Sequence, residues 1–186
     1  MKKAFLFSAC IALLIITGCS KKNNGGGILI PDTPRGEVPD ELVGKWLNGT
    51  FAMSNWYSYD GQYQGNPFSS SRAFSFSKDG HAEFFQIIKT YNGSCATDGL
   101  TEFKGTVKFN AEDGSFTFYP QQGIFRGYYS CAGSSNFSRA AKKEELNPIK
   151  LYWSKETDVN NQEWMVTRWY AGAPDTEANY FKPVNW

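Results

Sequence analysis

Histidine and cysteine are scarce in this chain of 186 residues, which contains one histidine and four cysteines. No Cys-x-x-Cys pair is present, so the usual zinc-binding and thioredoxin-like spacings are excluded. His81 is the only residue that could serve a Ser-His-Asp site, and no Gly-x-Ser-x-Gly elbow, Walker loop or dinucleotide fingerprint occurs. These absences exclude most familiar enzyme classes and predict a non-catalytic protein without a cofactor or metal.

A strong charge of either sign is also missing. The chain has 19 Lys and Arg residues and 18 Asp and Glu residues, which gives a formal net charge of +1. Proteins that bind nucleic acids concentrate positive charge, so a nucleic-acid partner is not expected. Helical periodicity is nearly absent as well, which excludes alternating βα units and leaves an antiparallel all-β fold.

The apolar run at the N-terminus is too short for a transmembrane helix. Lys2 and Lys3 precede an apolar stretch over 4–17, as in a secretory signal. The tetrad Ile16-Thr17-Gly18-Cys19 resembles a bacterial lipobox.

The lipobox resemblance implies that residues 1–18 are a lipoprotein signal peptide and that Cys19 becomes the acylated first residue. Acyl chains such as palmitate would then hold the protein to a lipid bilayer, at about 0.8 kcal/mol per buried methylene. Ser20 follows in place of an aspartate, which by analogy with lipoprotein sorting predicts a cell-envelope protein of the outer membrane. The periplasmic and the cell-surface orientations both stay open.

Glycine and proline mark the boundary of the folded domain. Three consecutive glycines and three prolines lie between residues 20 and 40, without hydrophobic periodicity. We therefore predict a lipidated cysteine and flexible tether over 19–41, followed by a single domain over 42–186.

Alternation with a period of two dominates the predicted domain. Phe103, Val107 and Phe109 share one face of a strand, and charged residues share the other. The pairs Asp79-Gly80 and Asp113-Gly114 predict hairpin turns. We expect an all-β, antiparallel, up-and-down barrel of eight to nine strands, with a β-sandwich as the alternative and one short helix over 138–146. The predicted strands are 43–59, 74–77, 81–91, 101–109, 116–118, 124–131, 149–154, 162–170 and 178–184.

The segment Leu42-Val43-Gly44-Lys45-Trp46 contains the Gly-x-Trp motif that opens the first strand of the lipocalin (calycin) superfamily, and the chain resembles that family over 42–186. In lipocalins this tryptophan packs across the closed end of the barrel beneath an arginine of the last barrel strand. The resemblance implies that Arg168 contacts Trp46, and that the protein binds a small apolar or amphipathic molecule.

Two cysteines remain once Cys10 and Cys19 are assigned to the signal and the anchor. Cys95 and Cys131 would meet an oxidising compartment in the cell envelope, where thiols pair. We predict that they form a disulfide bond.

Aromatic side chains are the remaining functional signal, and they leave two hypotheses open. Inward-facing aromatics either fill an eight-stranded barrel or leave room for one small ligand. A second aromatic cluster over 56–63, which includes Trp56 and Tyr59, could instead bind a glycan or a protein partner. The ligand-binding candidates are Phe74, Phe76, Phe103, Phe116, Phe118, Trp153, Trp56 and Tyr59.

Overall fold

The computed structural model describes residues 29–49 and 71–185. In these two ranges, nine antiparallel strands form one sheet, and eight of them close into a ring because β4 pairs with β5 as well as with β3. The all-β, antiparallel prediction is confirmed, and a single closed sheet takes the place of the two packed sheets of a sandwich. The strands are β1 (Gly44–Asn48), β2 (Ser71–Phe76), β3 (His81–Asn92), β4 (Cys95–Asn110), β5 (Ser115–Tyr129), β6 (Phe137–Ala140), β7 (Ile149–Thr157), β8 (Glu163–Arg168) and β9 (Asn179–Pro183).

The core lies inside the ring, where alternate residues of neighbouring strands meet. Phe74 on β2 is opposite Phe84 on β3, which in turn is opposite Phe103 on β4. Phe103 and Val107 are buried, whereas Lys104 and Lys108, which directly follow them in the chain, are exposed. The predicted alternation of β4 is therefore confirmed, and it follows from the period-two geometry of a strand.

Both predicted hairpin turns occur where Asp-Gly pairs stand in the sequence. Gly80 follows β2 and Gly114 follows β4, with φ angles of +84° and +64°. These values lie in the left-handed region that glycine adopts without steric cost. Gly80 also has no room for a side chain, since a Cβ there would lie 2.2 Å from the carbonyl oxygen of Gly36.

The predicted short helix over 138–146 is wrong. Phe137–Ala140 form strand β6, which pairs with β5 from Ile124 to Gly127, and only Lys143–Glu145 make a single 3-10 turn. The β7 strand covers β5 only up to Phe118, so backbone groups farther along β5 need other partners. Pairing at this edge outweighs a local helical tendency in so short a segment. No helix in the described parts of the chain is long and apolar enough to span a membrane.

The predicted tether over 19–41 is wrong for residues 29–41, which are docked on the sheet. The N–H groups of Ile30, Gly36 and Val38 donate to the carbonyl oxygens of Gln121, Val107 and Lys78 at 2.8, 3.0 and 3.1 Å. Val38 and Leu42 are fully buried and close one end of the ring. This segment docks through a few apolar residues and through hydrogen bonds to the backbone of the sheet. Neither feature produces the strand or helix periodicity from which a folded segment is predicted.

The predicted disulfide bond is confirmed. Cys95 and Cys131 are bonded, with their Cα atoms 5.4 Å apart. The bond joins the start of β4 to the residue that follows the end of β5 by two positions. It lies at the tip of a three-stranded ribbon, because β3 and β4 remain paired out to Asn92 and Cys95 whereas β2 leaves β3 at Ile87.

Candidate ligand-binding site

The interior of the ring changes from apolar to polar within one step of two residues along β2, β3, β4 and β9. Arg72 lies opposite Gln86, which lies opposite Thr101, and these three positions form one inward-facing row. The aromatic row of Phe74, Phe84 and Phe103 lies one step closer to the closed end. These four strands therefore present polar groups at the end of the ring opposite Val38 and Leu42, where Phe125 of β5 lies opposite Thr101.

A cavity of about 230 Å³ lies between these two rows. An apolar cavity of roughly 150 Å³ accommodates benzene, and typical sites for drug-sized ligands begin at about 300 Å³. The cavity therefore suits a molecule with one ring or a short chain. Its apolar lining is Phe74, Phe84, Phe103, Phe125, Ile149, Leu151 and Phe181, and the remaining lining is Arg72, Gln86, Thr101, Thr167, Asn179 and Trp169.

Three surface depressions of the described residues are larger than this cavity, at about 390, 400 and 340 Å³. They lie outside the ring, and Ser75, Glu83 and Lys104 line the first of them. All three are shallow and open to solvent, whereas the interior cavity combines an apolar floor with a few polar groups, as ligand sites usually do.

The closed half of the ring is packed solid with aromatic rings. Phe74 stacks on Phe76 with ring centroids 5.4 Å apart and meets Phe116 edge-on at 5.7 Å. Phe118 is fully buried beside them. The hypothesis of a barrel filled by aromatic side chains is therefore true of the closed half. The hypothesis of a barrel with room for one small ligand is true of the other half.

The predicted ligand-binding residues divide accordingly. Phe74 and Phe103 line the cavity. Trp153 packs edge-on against Phe109 with ring centroids 5.9 Å apart and does not line the cavity. Phe76, Phe116 and Phe118 belong to the solid half. Trp56 and Tyr59, like Cys19, lie outside the described residues.

Arg72 is the charged group of the cavity. Its Nη1 donates a hydrogen bond to Oδ1 of Asn179 at 2.9 Å, and both side chains line the cavity. No carboxylate from the described residues is part of this lining. Nδ2 of Asn48 donates to the carbonyl oxygen of Tyr180 at 2.9 Å and ties β1 to β9 beside Asn179.

A charged pair packs against one wall of the cavity. The rings of Phe103 and Phe125 meet edge-on at 5.5 Å, and the guanidinium of Arg139 lies 4.7 Å from the centroid of Phe125. Both guanidinium NH groups of Arg139 donate to Glu145, at 2.7 and 2.8 Å. These bonds, together with the N–H of Lys142, lower the pKa of Glu145 from 4.5 to about 2.

We expect Glu145→Gln to make the protein less sensitive to acid. Because the folded-state pKa of Glu145 is lowered, its contribution to stability is present above pH 4.5 and is lost as the pH falls toward 2. Urea unfolding midpoints measured at pH 7, 4, 3 and 2 should show a difference between wild type and variant that shrinks with acidification.

Glu144→Gln is the matched control for this prediction, since Glu144 is the exposed neighbour. Its difference from wild type should stay small at every pH. A pH-independent effect of Glu145→Gln would contradict the role assigned to the Arg139 pair.

The predicted contact between Trp46 and Arg168 is wrong. Met165 packs in the core and Thr167 lines the cavity, so the adjacent Arg168 faces outward. Its guanidinium donates to Ser154 at 3.2 Å and to Asp175 at 2.8 Å. Period-two alternation does not show which of the two faces of β8 points into the ring. The pairing of β8 with β9 decides this.

The polar half of the site was not among the residues predicted from the sequence. Arg72, Gln86, Thr101 and Asn179 each stand two positions from an inward-facing phenylalanine. Two positions along a strand keep the same face, so the polar residues could have been assigned to the interior. Thr167 and Trp169 had no such marker, because the predicted contact with Trp46 placed Arg168, which lies between them, on the inward face.

His81 lies away from the cavity. Its ring nitrogen Nε2 is 2.8 Å from Nη1 of Arg35, and more than half of the side-chain surface is exposed. In the described ranges, no cluster of three or more His, Cys, Asp or Glu residues could hold a metal ion.

No protein-family model, curated protein or solved structure matches this chain.

Proposed function

We propose that this protein is a lipid-anchored, lipocalin-like protein of the cell envelope that binds a small apolar or amphipathic molecule without catalysis. The observation that carries the proposal is the cavity of about 230 Å³ inside the ring of strands. An apolar floor with a few polar groups at one end is the usual composition of a small-molecule site.

The arrangement of the two ends of the ring supports the lipocalin-like part of the proposal. Trp46 is buried in the core cluster together with Val38 and Leu42, at the closed end. This is the position that the Gly-x-Trp resemblance implies for the tryptophan. The arginine that the resemblance places over it is absent there, so the support comes from the tryptophan and the closed ring.

The anchoring part of the proposal rests on the lipobox at residues 16–19. Only the nine residues 20–28 separate Cys19 from the first described residue. At about 3.5 Å per residue, such a stretch reaches at most roughly 35 Å, so the ring would lie close to the bilayer. An outer-membrane location follows from Ser20 by analogy only.

Mass spectrometry of the protein purified from the membranes of its own host tests both parts. Denaturing conditions should give a chain that begins at Cys19 and carries acyl chains, and native conditions should show an additional small molecule. An unmodified chain would contradict the anchor. A native mass without any retained or exchangeable small molecule would count against the binding function.

We expect Thr101→Phe to abolish binding of a neutral probe, 3-phenylpropanamide, because a larger side chain at this inward position fills the cavity. Isothermal titration calorimetry measures the loss. Thr117→Phe is the matched control, since Thr117 lies between the inward-facing Phe116 and Phe118 and so points outward. Equal binding by both variants would place the probe outside the cavity.

The rival hypothesis is an interaction module that binds a glycan or a protein through residues 56–63. This segment lies outside the described residues. The cavity favours the small-molecule proposal over this rival.

A further inference from the structure

Arg72 places a single positive charge against an otherwise neutral and largely apolar cavity. Among the described lining residues it is the one charged side chain. It reaches from β2 to Asn179 on β9, past the intervening strand β1. A charge beside apolar surface is costly unless an opposite charge or hydrogen-bond acceptors compensate it.

We propose that the cavity binds a compact monocarboxylate, with the carboxylate on Arg72 and the apolar body on the phenylalanine floor. This inference rests on the proposed function, because it names the ligand class of the same cavity.

The geometry of a guanidinium favours a carboxylate. Its planar fork of N–H donors matches two carboxylate oxygens, and such bidentate pairs are short and strong. Gln86 and Thr101 occupy the same inward row and add an amide and a hydroxyl donor. These groups can hydrogen-bond a bound carboxylate without adding charge.

The charge of the cavity favours a monoanion over a dianion. One guanidinium balances one negative charge, and no second cation is found in the described lining. A phosphate monoester dianion would leave a negative charge uncompensated beside Phe74 and Phe103, which is unfavourable in an apolar environment.

The size of the cavity limits the apolar body. A volume of about 230 Å³ accommodates one aromatic ring with a short chain. The floor offers ring contacts, since Phe84 and Phe103 are tilted by 34° with centroids 6.4 Å apart. A long-chain fatty acid would have to extend beyond this space.

Calorimetric titrations of the full-length mature protein with three probes test the proposal at pH 7. The probes are 3-phenylpropionate, its neutral amide 3-phenylpropanamide, and phenyl phosphate. We expect the carboxylate to bind at least tenfold more tightly than the amide, a difference of about 1.4 kcal/mol. Phenyl phosphate should bind more weakly than the carboxylate.

Arg72→Met should remove this preference, lowering carboxylate affinity at least tenfold while amide affinity stays within twofold. Retained amide binding also shows that the variant is folded. Arg72→Lys should recover only part of the carboxylate affinity, because an ammonium group lacks the planar fork. Lys108→Met, which removes an exposed outward cation, should leave all three affinities unchanged.

The outcomes separate this inference from the proposed function. If neither 3-phenylpropionate nor its amide binds, the cavity is not a ligand site and the proposed function fails. If both bind equally, or if Arg72→Met does not affect the carboxylate, binding stands and the carboxylate inference is overturned. Tighter binding of phenyl phosphate would also overturn it.

Discussion

Replacing Trp46 with alanine is expected to lower the free energy of unfolding by about 3 to 5 kcal/mol, as aromatic-to-alanine changes in a core do. The side chain is only 4% exposed, and its Nε1 donates a hydrogen bond to the carbonyl oxygen of Leu42 at 2.9 Å. The substitution removes the packing of the indole against the closed end and leaves a buried carbonyl without its partner. Urea denaturation at equilibrium measures the loss.

Two variants sharpen this prediction. Trp46→Phe keeps a ring in place but loses the hydrogen bond, so it should cost clearly less than the alanine variant. Arg168→Ala should cost about 1 kcal/mol, because the Arg168 side chain is partly buried but both of its carboxylate partners, Glu156 and Asp175, are exposed. Its partner Asp175 is 78% exposed at the side chain.

The double variant of Trp46 and Arg168 should be additive to within about 0.5 kcal/mol, because the two side chains lie on opposite faces of the sheet. The lipocalin resemblance implies the contrary, a shared contact and a coupling energy. A clearly non-additive cycle would contradict the outward position of Arg168 and restore the contact that the sequence suggested.

Loss of the disulfide bond is expected to lower stability by about 4 kcal/mol in the chain-entropy account. Cys95 and Cys131 are 36 positions apart, so the bond closes a long loop in the unfolded chain. Unfolding midpoints with and without dithiothreitol measure the effect. The double variant Cys95→Ser and Cys131→Ser should match the reduced wild type and should not respond to the reductant.

The effect of reduction should be greater on global stability than on the cavity. Ala96 and Ser130 hold the tip of the ribbon by two further bonds, at 2.8 and 2.9 Å. The cavity lies within the ring, so probe affinity should change little below the unfolding transition. A large loss of affinity on reduction would show that the ribbon tip shapes the site.

Much of this fold was predictable because local signals coincide with the final structure. Phe103 and Val107 mark a buried face, and Asp79-Gly80 and Asp113-Gly114 mark turns that need a positive φ. Pairing of Cys95 with Cys131 followed from the count of cysteines. These features depend on residues close together in the chain or on residue counts.

The tertiary structure decided which face of each strand points inward and which edges are free to pair. Alternation in β8 is the same whether Val166 or Thr167 faces the cavity, and the pairing of Met165 with Phe181 selects Thr167. Strand β6 forms because the pairing of β7 with β5 ends at Phe118. No local sequence pattern predicts where that pairing ends. Docking of residues 29–41 likewise depends on backbone partners that are distant in sequence.

The sequence by itself determined an all-β chain with a disulfide bond, because strand periodicity, turn residues and cysteine number are local properties. Only the tertiary structure brought Arg72 and Asn179 together above the phenylalanine floor. Their strands meet through β1, and closure of the ring by β4 and β5 encloses the space between them. A cavity is a property of the closed sheet, so no single strand encodes it.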